Sequence, residues 1–155
     1  MSAQHLHIRP IERQDYPQWR PLWDGYNAFY GREGTTALSE EITRTTWERF
    51  FDAAEPVHAQ VAELDERLVG LVHHLFHRST TRLRDICYLQ DLFTAPHVRG
   101  LGIGSALIEA VYVAARSAGC GRVYWQTQAS NATARRLYQR LAEHRGFIVY
   151  SHELE

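Results

Sequence analysis

Leu92-Phe93-Thr94-Ala95-Pro96-His97-Val98-Arg99-Gly100-Leu101-Gly102-Ile103-Gly104-Ser105-Ala106-Leu107 reads as the end of a strand, a glycine-rich turn and the start of a helix. Glycines lack a Cβ, so the backbone there can close on a ligand, and the unpaired amides and dipole of a helix start favour an anion. Arg99 adds a planar cation at the mouth, suited to a pyrophosphate. The dinucleotide pattern Gly-x-Gly-x-x-Gly does not fit. Counted from Gly100 its sixth position is Ser105, and counted from Gly102 it is Leu107.

Outward from the loop, Ile86 to Thr94 forms a long strand, and Gly102 to Ala118 forms a strongly apolar helix stopped by Gly119. Upstream, Val57 to Leu64 and Leu68 to Phe76 flank Asp65-Glu66-Arg67 as a hairpin. His5 to Arg9 alternates as a short strand that stops at Pro10. Tyr16, Trp19, Trp23, Tyr26 and Tyr30 recur at helical steps between Glu12 and Tyr30, a stretch that Pro17 and Pro21 could divide. Ser39 caps a second helix with Glu40 and Glu41 in its first turn, ending before Pro56. Downstream, Arg122 to Gln128 is strand-like, Ser130 caps a last helix through Glu143, and Phe147 to His152 makes a closing strand. The order is a mixed α/β plan with helices covering a sheet.

The 155 residues, 45% hydrophobic and 23% charged, suit a single domain over residues 1–155. A net charge of -1 provides no broad field for nucleic acid or an anionic membrane, so neither is expected as a partner. All seventeen basic side chains are Arg, which excludes a Walker-type loop, a Schiff-base lysine and a lysine general base. Cys87 and Cys120 have no CxxC partner, so neither a disulfide framework nor a zinc site is expected. His73, His74 and His77 cluster in sequence, but adjacent strand residues point to opposite faces, and no metal is expected there. No stretch approaches a membrane span or a signal sequence, which suggests a cytoplasmic protein.

The spacing Arg99-x-x-Gly102-x-Gly104 resembles the acyl-coenzyme A pyrophosphate loop of the GNAT superfamily of N-acetyltransferases. Asn131-x-x-Ala134-x-x-Leu137-Tyr138 followed by Gly146-Phe147 looks like the second signature of that superfamily. Tyr88-Leu89-Gln90-Asp91-Leu92, the segment Trp23 to Tyr30 and the hairpin Leu68 to Arg78 are similar to its diamine and histone/polyamine acetyltransferase branch. The resemblance covers essentially the whole chain. It implies an α/β (α+β) GNAT fold: a twisted, mixed, mostly antiparallel sheet with splayed middle strands and helices on both faces.

It also implies roles for particular residues. Backbone groups of Leu92, Phe93 and Thr94 would pair with the pantetheine arm of acetyl-CoA, and Arg99, Gly100, Leu101, Gly102, Ile103, Gly104 and Ser105 would hold its pyrophosphate. Asn131 and Ala134 would flank the arm, although Asn at a helix start is also a common cap. Tyr138 matches the family tyrosine that serves the departing thiolate; Ala134, Leu137, Tyr138 and Leu141 also form a stripe that suits plain core packing.

In the family a neutral amine attacks the thioester directly, so a base is needed. The branch carries an acid at the position of Gln90, whose amide is not basic. Asp91 is adjacent, but strand alternation turns it to the opposite face unless a bulge intervenes, as is usual for the family. His73, His74 or a water chain are the other carriers. Tyr26, Asn27, Tyr30, Gln90 and Trp125 are the expected acceptor contacts, with Trp23 and Glu33 nearby; the same aromatics equally suit a core. Residues 142–145 lengthen the interval between Tyr138 and Gly146.

The implied function is acetyl-CoA-dependent N-acetyl transfer to the primary amine of a small molecule, such as a polyamine or amino acid, by a metal-free homodimer. A protein or histone lysine acetyltransferase and a non-catalytic acyl-CoA-binding sensor are the alternatives.

Overall fold

Asp65 and Glu66 both adopt left-handed backbone angles, φ 50° and 67°, which close a two-residue turn matched to the twist of the strands on either side. Those strands are β2 (Val57–Leu64) and β3 (Arg67–His77). In the computed structural model, which describes residues 5–154, this hairpin is the centre of a five-stranded sheet of order β1-β2-β3-β4-β5. β1 (Leu6–Pro10) and β4 (Ile86–Thr94) flank it antiparallel, and β5 (Val123–Tyr124) joins β4 in parallel. The sheet is therefore mixed and mostly antiparallel, with helices on both faces. The described residues fall into two compact units, those of Met1–Trp125 and those of Gln126–Glu155.

One face of β3 carries Leu71 and His73, and the other carries Gly70, Val72 and His74. Helix α1 (Tyr16–Phe29) covers the first face, preceded by a single 3-10 turn at Arg13–Asp15. Pro17 occupies its first turn, where no amide is needed, and Pro21 sits inside without dividing the helix. Trp19 is fully buried and stacks on Trp23, with ring centroids 5.5 Å apart. Helix α2 (Glu40–Arg49) adds Trp47, 5.0 Å from Trp19, and Ser39 Oγ accepts from the Ile42 amide to cap it. Such ring pairs contribute about 0.5–1.5 kcal/mol each beyond area burial. Arg9 clamps this layer to the sheet, donating to Asp15 at 2.7 and 2.9 Å and to Glu63 at 3.1 Å.

Helix α3 (Ile103–Ser117) covers the second face with Ile103, Leu107, Ile108 and Val111 buried. It approaches closely because β3 has a glycine there: a Cβ on Gly70 would lie 3.1 Å from Leu107 and 3.2 Å from Ile103. In the second unit, helix α4 (Ala132–Leu141) is capped by Asn131, whose side chain accepts from the Ala134 amide. Among the described residues no helix is long and apolar enough to cross a membrane.

Three expectations are corrected. The strand expected over Arg122 to Gln128 is a ladder only at Val123–Tyr124, which pair with Cys87 and Tyr88; from Trp125 on, the chain no longer pairs with β4. The cap of the last helix is Asn131, one residue beyond Ser130. Phe147 to His152 forms no strand; a strand exists only through a ladder, and the unit that holds it contains no other strand.

His74 is buried at 2% exposure, and its Nδ1 has no hydrogen-bond partner. Burial, then the neighbouring His58 and His73, pushes its pKa from the ordinary 6.5 down to about 4. Below pH 6.5 the unfolded chain takes a proton here that the folded chain refuses until about pH 4, so stability falls across that window and levels off beneath it. The full loss is on the order of 3 kcal/mol. Denaturant melts from pH 7.5 to 4 should show it, and His74→Leu should flatten the slope.

Candidate active site

The β3–β4 ladder slips at one point. His73 pairs with Asp91 but His74 pairs with Leu89, so Gln90 is an extra residue squeezed out of register. The bulge rotates Asp91 onto the face of His73. Asp91 is buried at 9% exposure while Gln90 is exposed. The two residues expected as alternatives for one position are thus separated by the backbone itself.

Trp19 Nε1–H donates to His73 Nε2 at 3.2 Å, and His73 Nδ1 lies 2.9 Å from Asp91 Oδ2. An indole nitrogen only donates, so Nε2 must accept, and the ring proton sits on Nδ1 and points at the carboxylate. His73 is therefore a neutral donor, and Asp91 carries the charge. The Tyr26 phenol faces the same carboxylate, and burial first, then the charge and hydrogen bond of Asp91, push its pKa well above the ordinary value. Tyr26 stays protonated. The Tyr88 phenol is raised as well, by burial first and then by Tyr124, Asp91 and Tyr30.

Tyr26 and Tyr88 stand beside this carboxylate, Tyr30 packs on Tyr26, and Tyr124 packs on Tyr88. Tyr26 and Tyr30 rings lie 5.2 Å apart, Tyr88 and Tyr124 5.0 Å, and Tyr124 Oη is 2.7 Å from His77 Nε2. β5 ends at Tyr124 while β4 runs on to Thr94, so among the described residues Leu92, Phe93 and Thr94 have a ladder only toward Val72, Leu71 and Gly70. Their other edge is the one on which an extended ligand could add as a strand.

Beyond Thr94 the chain makes one 3-10 turn at Pro96–Val98 and enters the glycine loop. Gly100 and Gly102 stand at φ 86° and 80°, with nothing within 4 Å of a Cβ built at either. Gly102 is the residue before α3, so the amides of Ile103, Gly104 and Ser105 open onto the loop without intrahelical partners. Arg99 lies 5.7 Å over the Phe93 ring with its Nε on the Thr94 carbonyl at 3.3 Å, which leaves its terminal nitrogens for an anion. The loop suits a pyrophosphate.

Other expected residues are placed differently. Asn27 is buried at 4% exposure; its amide donates to Trp23 O at 2.9 Å, and its Oδ1 accepts from Arg32 Nε at 2.7 Å. It holds Arg32 rather than facing an acceptor. Trp23 is core, donating to Thr43, and Glu33 is exposed before the 3-10 turn Gly34–Thr36. Trp125 stands 6.4 Å from Tyr112 of α3. His74 points away from His73 and stacks on His58 at 5.3 Å. Asn131, Ala134 and Tyr138 belong to the second unit, with Asn131 engaged as a cap and Tyr138 on α4. Arg32 and Tyr124 had no sequence signal, since neither lies in a spaced motif; Tyr88 lay in one without standing out.

A family model described as "Acetyltransferase (GNAT) family" matches residues 16–142. The chain is 30% identical over 152 residues to the D-amino-acid N-acetyltransferase HPA3 of Saccharomyces cerevisiae, covering 97% of this chain and 92% of that protein. It is 26% identical to YhfO of Bacillus subtilis, an uncharacterized N-acetyltransferase, over 94% of this chain and 95% of the other. A solved aminoglycoside N-acetyltransferase, AAC(6')-Iy in complex with CoA, has the same fold at a TM-score of 0.80 and 18% identity, with 99% and 97% of the two chains covered. With a glycine loop that suits a pyrophosphate, a β4–β5 ladder that ends at Tyr88 and a family match over most of its length, the chain belongs to the acetyltransferase (GNAT) family and is an acetyltransferase.

Proposed function

We propose that the protein, as one domain, transfers acetyl from acetyl-CoA to the primary amine of a small molecule, and that Asp91 receives the ammonium. The observation that carries this is the bulge at Gln90, which sets a buried carboxylate among tyrosines on the strand that leads into the glycine loop. A relative named for acetylating D-amino acids supports a small acceptor.

The donor supplies an activated thioester carbonyl. The ammonium loses one proton to become the nucleophile; its nitrogen then forms the new C–N bond as the C–S bond breaks and gives up a second proton, and the sulfur takes one. Asp91, held by His73 and faced by Tyr26, orients the ammonium and accepts its proton directly or through water. His73 does not relay that proton onward while Trp19 occupies Nε2. Tyr138, at the position of the family tyrosine, protonates the thiolate. A cytoplasmic homodimer belongs to the same reading, carried by family resemblance.

Three variants check the assignment. Asp91→Asn should lower kcat about 100-fold or more, with the CoA dissociation constant unchanged in calorimetry. Tyr138→Phe should lower kcat with CoA affinity retained; unchanged turnover would remove Tyr138 from the chemistry. Gly102→Val should abolish CoA binding, because a side chain would enter the open loop, and should cost about 1–2 kcal/mol of stability for a left-handed β-branched residue. Retained CoA binding would overturn the loop assignment.

A further inference from the structure

Arg32 follows α1 directly, its backbone amide bonded to Asn27 O at 2.9 Å. Its guanidinium lies 5.8 Å from the Tyr26 ring centroid and 5.4 Å from that of Tyr30. Its Nε is fixed by the buried Asn27 Oδ1 at 2.7 Å. Among the described residues no carboxylate lies within ion-pair distance of it, although Glu33 is next in sequence. The guanidinium lies over the two tyrosine rings, and Asn27 uses Nε. What remains is the edge formed by the two terminal nitrogens, the edge that grips a carboxylate with two parallel hydrogen bonds.

The placement of that edge gives it a use. Tyr26 meets Arg32 with its ring and Asp91 with its hydroxyl, so one tyrosine side chain separates a fixed cation from a buried anion. A carboxylate ligand on Arg32 and an ammonium on Asp91 are the two ends of a zwitterion. The geometry points to an amino acid as the acceptor, its carboxylate held by Arg32 and its amine presented by Asp91. This rests on the reading of Asp91 as the group that receives the amine. Asn27 is then a positioning residue: truncating it leaves the guanidinium free to swing over the rings. The arrangement disfavours polyamines, whose second cation would meet Arg32 with like charge.

The test is steady-state acetylation of matched compounds: phenylalanine and alanine as both enantiomers, their primary amides, and phenethylamine and ethylamine, with spermidine as a polycation. The wild-type protein should favour an amino acid over its own amide and decarboxylated amine by tenfold or more in kcat/KM. Arg32→Gln should erase that ratio, mainly through KM of the acids, and Arg32→Lys should restore part of it, since an ammonium keeps the charge but loses the fork. Asn27→Ala should raise the KM of the acids alone. CoA binding by calorimetry reports that each variant is folded. Amides and amines used as well as the acids by the wild-type protein, or a ratio unchanged in Arg32→Gln, would overturn the proposal and leave small-amine acetylation standing. Turnover of none of these amines by a protein that binds CoA would overturn that broader reading, and this proposal with it.

Discussion

The 2.9 Å hydrogen bond between His73 and Asp91 exists because one residue was expelled from the ladder beside it. In a regular strand Gln90 and Asp91 would alternate, and the carboxylate would face α3 across a core of Leu107 and Ile103. An unpaired charge there would cost several kcal/mol. The bulge turns Asp91 to the side where an imidazole N–H and a phenol meet it. Local loss of one pairing step is offset by a carboxylate with named partners, and the outermost group of that chain, Trp19, is the most deeply buried side chain of α1.

Helix α1 therefore couples core and site. Its first turns supply Trp19, which fixes the tautomer of His73, and its last turn supplies Tyr26, Asn27 and, just beyond, Tyr30 and Arg32. Gly25 lets it lie close enough, since a Cβ there would stand 3.0 Å from the Phe93 ring. A glycine inside a helix costs about 1 kcal/mol, and the close approach to β4 is its physical counterpart here. Phe93 in turn lies under the Arg99 guanidinium, so the strand that carries Asp91 also positions the cation of the phosphate loop.

What could be read from sequence followed from local chemistry. The glycine-rich turn into α3, the hairpin at Asp65-Glu66 and the Ser39 cap each act within a few residues; the turn and the cap formed where expected, with Arg67, read as part of the hairpin turn, already opening β3. The bulge was foreseeable only as a condition, because register is a property of two strands and nothing in Gln90-Asp91 alone selects it. Asn27 was misplaced for a related reason: an amide on an aromatic helix face suits a ligand or a neighbour equally, and the neighbour, Arg32, lies beyond the helix end. Phe147 to His152 has the apolar character of a strand, but strandness needs a partner ladder that the sequence cannot name.

The charge arrangement itself is preorganised. Arg32 and Asp91 would gain most by pairing with each other, and Tyr26 stands in the way. Held apart, the two charges do not collapse onto each other. Each is instead restrained by neutral groups: Asn27 and two tyrosine faces for the cation, His73 and a phenol for the anion. Fixed dipoles of this kind do not have to reorganise when a charged ligand arrives, which is the condition under which buried electrostatics assist a reaction rather than merely stabilise a fold.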